Sequence, residues 1–188
     1  MWMPGPLFTK LFEIAAGQYG YLTVDDAHDL GVPVTRLNTM AARGTLDHVS
    51  RGVYRFPIFP AGPLDQYFEM TLWPRGGGVL SHATALDLHG LCDVNPAKIH
   101  VTVRPSFRTN RELPPVMRLH RRTLADGDVT WHEGIPIVTP RKAILDGIEQ
   151  HLGGDLIDQA IETAQRRGLL RRRDLVEIDG ARNDAIAA

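Results

Sequence analysis

Cysteine is almost missing from this chain. Of 188 residues only Cys92 is one, which excludes an internal disulfide and any four-cysteine metal cluster and fits a reducing compartment. Long hydrophobic runs are missing too. The apolar stretches are short and broken by charges, so a membrane span of about 20 residues is not available. Met1-Trp2-Met3-Pro4-Gly5-Pro6 has no basic start, no long apolar run and no small-residue cleavage site, so no secretion signal is expected and the chain is placed in the cytoplasm. No fixed-period repeat occurs. A charge surplus is absent as well: the formal net charge is −1, without the basic excess common in nucleic-acid binders. What remains, 43% hydrophobic and 23% charged residues, is the composition of a globular protein with one large or two small domains.

The neutrality hides segregation. Between Lys98 and Arg122 stand seven basic residues, Lys98, Arg104, Arg108, Arg111, Arg118, Arg121 and Arg122, with Glu112 as the one acid. A second cluster runs from Arg166 to Arg173, while acids concentrate between Asp126 and Glu162. These are either solvated faces in separate places or opposed electrostatic surfaces.

Along the chain, Leu7, Leu11, Ile14 and Ala15 recur at helical spacing, widened by Phe8 and Phe12, and predict an amphipathic helix to about Gln18. Tyr21-Leu22 is a short extended link. Thr23 followed by Asp26 predicts a capping box for a brief helix from Val24 to Leu30. Gly31 closes it, and Pro33 opens a helix reaching Arg43. Two short helices joined by a Gly-containing turn form a helix-turn-helix. Val34, Leu37, Met40 and Ala41 form the stripe expected to pack inward. The other face, Thr35, Arg36, Asn38, Thr39, Ala42 and Arg43, contains no acid, and all but Ala42 are hydrogen-bonders to base edges or phosphate. Leu46 to Val49, then Ser50-Arg51-Gly52, then Val53 to Phe56 predict a hairpin in the position of a wing. Arg51 at its tip and Arg55 are further candidates for DNA contact. Basic and acidic residues balance over residues 1–56, which predicts modest, salt-sensitive affinity from one copy and use of a dimer or tandem sites.

Pro57, Pro60, Gly62 and Pro63 mark a linker. The predicted layout is a winged helix-turn-helix over 1–58, a mixed α/β domain with a small sheet and helices over 64–178, and a frayed tail over 179–188, an α+β chain overall. Within the second domain the pattern predicts a helix from Leu64 to Trp73, a strand Val79-Leu80 and a helix to Leu88 capped by Ser81. Strands are expected over Ile99–Val103 and Val116–Arg122, a hairpin around Glu133-Gly134, helices 141–152 and 155–167, and a truncated helix ending at Ile178.

Catalytic and metal signatures are weak. Gly76-Gly77-Gly78 is not followed by Lys-Ser or Lys-Thr and is expected to be a turn. His82, His89 and Cys92 are spaced like no familiar zinc motif. Ser81-His82 invites a nucleophile reading, yet a capping serine accounts for Ser81. No catalytic residue, metal or cofactor is expected.

The segments Phe12 to Thr23, Gly31-Val32-Pro33 and Leu46 to Phe56 resemble the winged-helix domain of AbiEi-type antitoxins of type IV (abortive-infection) toxin–antitoxin systems. Ser81-His82-Ala83-Thr84-Ala85-Leu86-Asp87-Leu88-His89-Gly90-Leu91, Ile99 to Val103 and Gly134 to Pro140 are similar to that family's second domain. The resemblance implies a repressor of its own operon that binds double-stranded operator DNA, and a carboxy-terminal domain that counteracts a nucleotidyltransferase-like toxin. Arg104, Arg108, Arg111, Arg118, Arg121 and Arg122 would form a secondary basic surface. A regulator unrelated to a toxin, its second domain sensing a ligand or partner, stands as the alternative. A nucleic-acid-processing enzyme is a third reading, for which the acid-bearing strands of a fused nuclease are missing.

Overall fold

The computed structural model describes residues 5–75 and 77–187. Met1–Pro4, Gly76 and Ala188 lie outside them, and with these most of the stretch read for a signal, one glycine of the expected turn and the last residue of the expected tail. The chain divides into two compact units at Gly78 and Val79. Among the described residues no helix is long and apolar enough to cross a membrane.

In the first unit, α1 (Pro6–Ala16) starts with proline in its first turn, where the missing N–H costs nothing. Its Leu11 and Ala15 are fully buried. Gly20 follows at φ +83°, and a Cβ there would lie 2.8 Å from the Phe59 ring, so the turn into β1 (Tyr21–Thr23) requires glycine. The capping box of α2 (Val24–Asp29) forms with aspartate: Asp26 N–H donates to Thr23 Oγ1 at 3.1 Å and Thr23 N–H to Asp26 Oδ2 at 2.7 Å. After α3 (Val34–Ala42) come β2 (Asp47–Ser50) and β3 (Val53–Arg55). The sheet order is β1-β3-β2, all antiparallel, so the link at Tyr21-Leu22 is a strand paired with the wing. Leu11, Leu22, Ala27, Leu37, Leu46, Tyr54 and Phe56 form one core beneath the helices.

The boundary differs from expectation. Helix α4 (Asp65–Leu72), assigned by its pattern to the second domain, falls with the first unit. Phe68 lies 5.9 Å from the Tyr21 ring, and Tyr21 Oη donates to Glu69 Oε2 at 3.3 Å, contacts that the Pro- and Gly-rich composition of the linker could not reveal.

The second unit is a mixed sheet flanked by helices. β4 (Val79–Leu80), β5 (Ile99–Val103), β6 (Met117–Arg121), β7 (Val129–His132) and β8 (Ile135–Val138) stand in the order β6-β5-β4-β8-β7. β5 and β6 are parallel, as are β4 and β8. Every residue of β5 is buried, which places it among the central strands. Glu133 at φ +50° and Gly134 at φ +82° turn the β7–β8 hairpin, both central residues left-handed as a tight two-residue connection demands. Helices α5 (His82–Leu88), α6 (Pro140–Glu149) and α7 (Gly154–Arg166) follow their predicted positions closely. The tail is different: α8 runs unbroken from Arg172 to Ala187. Fully buried Ile178 anchors it, and Arg182 pairs with Asp158 at 2.7 Å beyond the point where fraying was expected.

Candidate nucleic-acid interface

Helix α3 carries no acid. Of its expected inward stripe, Leu37 is fully buried and Met40 and Ala41 half-buried, but Val34 is 41% exposed. Val34 sits in the first turn, beyond the reach of the core, and borders a cleft of about 440 Å³ with Asn38, His48, Arg51 and Tyr54, where Asp25 is the acid among the lining residues. Thr35, Arg36, Asn38, Thr39 and Arg43 are all exposed on one helix. The Thr39 hydroxyl donates to Thr35 O at 2.8 Å, which leaves its oxygen as an acceptor. Tyr54 Oη, from the central strand, donates to Asn38 Oδ1 at 2.6 Å. Burial pushes the Tyr54 phenol up, so it stays a donor at neutral pH. Asn38 keeps both amide hydrogens and one oxygen lone pair, the set a bidentate contact with adenine uses.

The wing turns through Arg51 and Gly52, the latter at φ +81°, after a register shift between His48 and Ser50. Arg51 is exposed, and among the described residues Arg36, Arg43 and Arg51 have no ion-pair partner. Arg55 is a correction to the candidate set. Its side chain is 14% exposed, pairs with Asp65 at 2.8 Å, donates to Pro60 O at 3.1 Å and lies 5.4 Å from the centre of the Tyr21 ring. A guanidinium so occupied holds the unit together and has no free fork for a phosphate.

The secondary basic stretch does not form one surface. Strand alternation puts Arg118 and Arg121 on opposite faces of β6. Arg104, Arg108, Arg118 and Arg121 are exposed and Arg111 is half-buried. Arg108 folds back on Phe107 O at 2.9 Å. Arg122 is a further correction: it bonds Asp146 at 2.9 Å and grips Glu149 through two bonds of 2.8 Å. Those bonds hold the Glu149 carboxyl below the usual range.

A polar cluster lies inside the second unit, and its long-range composition gave no local signal in the sequence. Ser81 begins α5 without a side-chain cap. Its buried hydroxyl instead accepts from Thr102 Oγ1 at 2.7 Å and lies 2.8 Å from His82 Nδ1. Asp146 Oδ2 stands 3.7 Å from the same nitrogen. A relay needs the serine on one imidazole nitrogen and the carboxylate on the other; here both approach Nδ1, and Ser81 is fully buried. His82, His89 and Cys92 are not assembled either. His89 Nε2 donates to Val138 O at 2.8 Å and Cys92 is buried and free, while His82 groups with His100 and His120.

Three helices followed by a two-stranded wing, with a cation-bearing helix face beside it, define a winged helix-turn-helix. Residues 10–57 match the family described as transcriptional regulator, AbiEi antitoxin. The match begins in α1 and ends at Pro57, just past β3. Among solved structures, the RV2827C protein from Mycobacterium tuberculosis is similar at a TM-score of 0.53 and 14% identity, covering 94% of this chain and 72% of that one. At that identity the likeness concerns the fold. No curated protein sequence matches the chain.

Proposed function

We propose that the chain is an antitoxin and transcriptional autorepressor of a type IV toxin–antitoxin operon, acting without catalysis of its own. Arg36 and Asn38 read base edges in the major groove, Thr35, Thr39 and Arg43 bond base edges or phosphates, and Arg51 reaches the flanking backbone. The observation that carries this reading is the exposed, acid-free face of α3 beside an unpaired Arg51 at the wing tip, within the segment that matches the AbiEi regulators. With few arginines for phosphate contact one copy binds modestly, so affinity comes from two copies on repeated half-sites, whose added phosphate contacts make it salt-sensitive. The second unit then serves to counteract a nucleotidyltransferase-like toxin.

A gel shift with the DNA upstream of the gene, at two salt concentrations, tests the DNA reading. Arg36→Ala with Asn38→Ala is expected to abolish the specific shift while circular dichroism stays unchanged. Unchanged affinity in that double variant overturns the assignment. Co-expression of the chain with its cognate nucleotidyltransferase-like toxin is expected to restore growth. Rescue absent with soluble antitoxin present would remove the toxin half and favour a regulator whose second unit senses another partner.

A further inference from the structure

Three histidines from separate elements meet in the second unit. His82 opens α5, His100 lies in β5, and His120 stands beside Thr102 in the register of β6. Each offers one ring nitrogen, and the three lie within 4.8 Å of one another. His100 Nδ1 and His120 Nε2 are 3.2 Å apart, close to the edge of about 3.3 Å that Zn–N bonds of about 2.0–2.1 Å give a tetrahedron.

Two buried polar atoms here have no hydrogen-bond partner, His82 Nε2 and Asp146 Oδ2. Buried polar groups are nearly always satisfied, so each requires a cause. They flank a single ring, with Asp146 Oδ2 3.7 Å from its Nδ1. A metal-ligating imidazole usually turns its second N–H toward a carboxylate, which fixes the tautomer and frees the other nitrogen as ligand. An ion on Nε2 would satisfy one orphan directly and fix the hydrogen on Nδ1, where Ser81 Oγ lies at 2.8 Å and the Asp146 carboxylate stands behind it. His82 also stands at φ +55°, a conformation costly for a residue with a side chain and concentrated at ligand clamps.

We propose that His82, His100 and His120 bind one divalent transition-metal ion of the Zn²⁺ type, with water as fourth ligand and Asp146 as the outer carboxylate. The donor set consists of neutral imidazoles, which suits zinc, copper or nickel rather than magnesium or calcium. Burial above all keeps the rings unprotonated, with the His82 pKa pushed down to about 2 and those of His100 and His120 to about 4. No proton has to leave before coordination. Arg118, Arg122 and Lys142 stand near the trio, offset by Asp146 and Glu149, which bind Arg122 and Lys142. This residual positive charge limits the affinity.

The His82 and His120 rings are stacked at 3.7 Å, so their in-plane lone pairs run side by side. Binding therefore turns the half-buried His120 ring out of the stack and closes the His82 nitrogen on the other two, which already stand near the tetrahedral edge. Ligation would pin the first turn of α5 to β5 and β6.

The test uses the tag-free full chain, stripped with chelator and dialysed against Zn²⁺ or Co²⁺. Expected are about one ion per chain, as for a single tetrahedral site, the strong visible absorption of four-coordinate Co²⁺, and a thermal midpoint that rises with Zn²⁺ concentration. His120→Ala, at the rim of the cluster, is expected to weaken binding at least ~10-fold, since even outer partners contribute 10–100-fold. His151→Ala, at an exposed position, is expected to bind like the parent chain. Histidine ring ¹⁵N spectra of the parent chain, which need no variant, are expected to show three rings shifting with added Zn²⁺. Uptake below about a tenth of an equivalent, far short of one site, overturns the proposal. So do spectra in which those rings stay unmoved, or a folded His120→Ala chain with parent affinity.

Discussion

The Tyr54 hydroxyl holds the Asn38 carboxamide through a 2.6 Å hydrogen bond, so the wing's central strand sets the orientation of a side chain on α3. A polar group aimed before DNA arrives does not lose rotamer freedom on binding. Tyr54→Phe keeps the ring in the core and removes only this bond. Specific operator affinity is expected to fall about 5- to 10-fold, with a stability loss near 1 kcal/mol. Gel shifts and urea titrations measure the two, and an unaltered operator affinity would show that Asn38 needs no such support.

Base readers and backbone contacts separate by their dependence on sequence and salt. Arg36→Ala and Asn38→Ala should each cost about 1–3 kcal/mol on the specific site and little on unrelated DNA. Arg51→Ala should weaken both alike and lower the slope of log affinity against log salt by about 1. Fluorescence anisotropy over a salt series checks this, and a specific-only defect for Arg51→Ala would reassign that residue to base contact.

Arg55→Ala is expected to damage the fold and spare the interface. It strips Asp65 of its partner in a pair whose side chains are each 14% exposed, and leaving a largely buried carboxylate unpaired costs about 1–3 kcal/mol. Thermal unfolding should report the loss, while the folded variant binds operator as the parent does.

Gly20→Ala puts a Cβ 2.8 Å from the Phe59 ring at φ +83°. Strain of this kind costs about 1–3 kcal/mol. A fall in thermal midpoint of several degrees is expected by calorimetry, and an unchanged midpoint would mean that the turn relaxes at no cost.

His89 supplies a pH signature. Burial is the main cause that lowers its pKa from 6.5, so the unfolded chain binds the proton more readily than the folded one. The stability it contributes is complete above pH 6.5 and is lost as pH falls toward the folded value, at up to about 1.4 kcal/mol per pH unit. Urea midpoints between pH 7.5 and 5 should fall less steeply for His89→Gln, which cannot take up a proton. Equal slopes would mean the folded ring protonates as easily as the unfolded one.

Much of the first unit was legible because its signals are local. The Thr23–Asp26 capping box, the glycines after the helices, the acid-free face of α3 and the Arg51-Gly52 tip all involve residues within one or two turns of each other. The exposure of the candidate face was legible in the same measure: Arg36, Thr39, Arg43 and Arg51 project as the helical and hairpin periods place them. Val34 was misjudged because periodicity gives a direction and not the depth of the core beneath it.

The amino-acid order by itself determined where the chain coils, extends and turns, and which helix face has no acid, since backbone preferences and side-chain periods act over a few residues. Only the tertiary structure decided which arginines are spent on carboxylates, as with Arg55 on Asp65 and Arg122 on Asp146 and Glu149. It also decided that α8 continues to Ala187 and that His82, His100 and His120 share one place. Those outcomes depend on partners brought together by strand order and helix packing, and no spacing along the chain encodes that proximity.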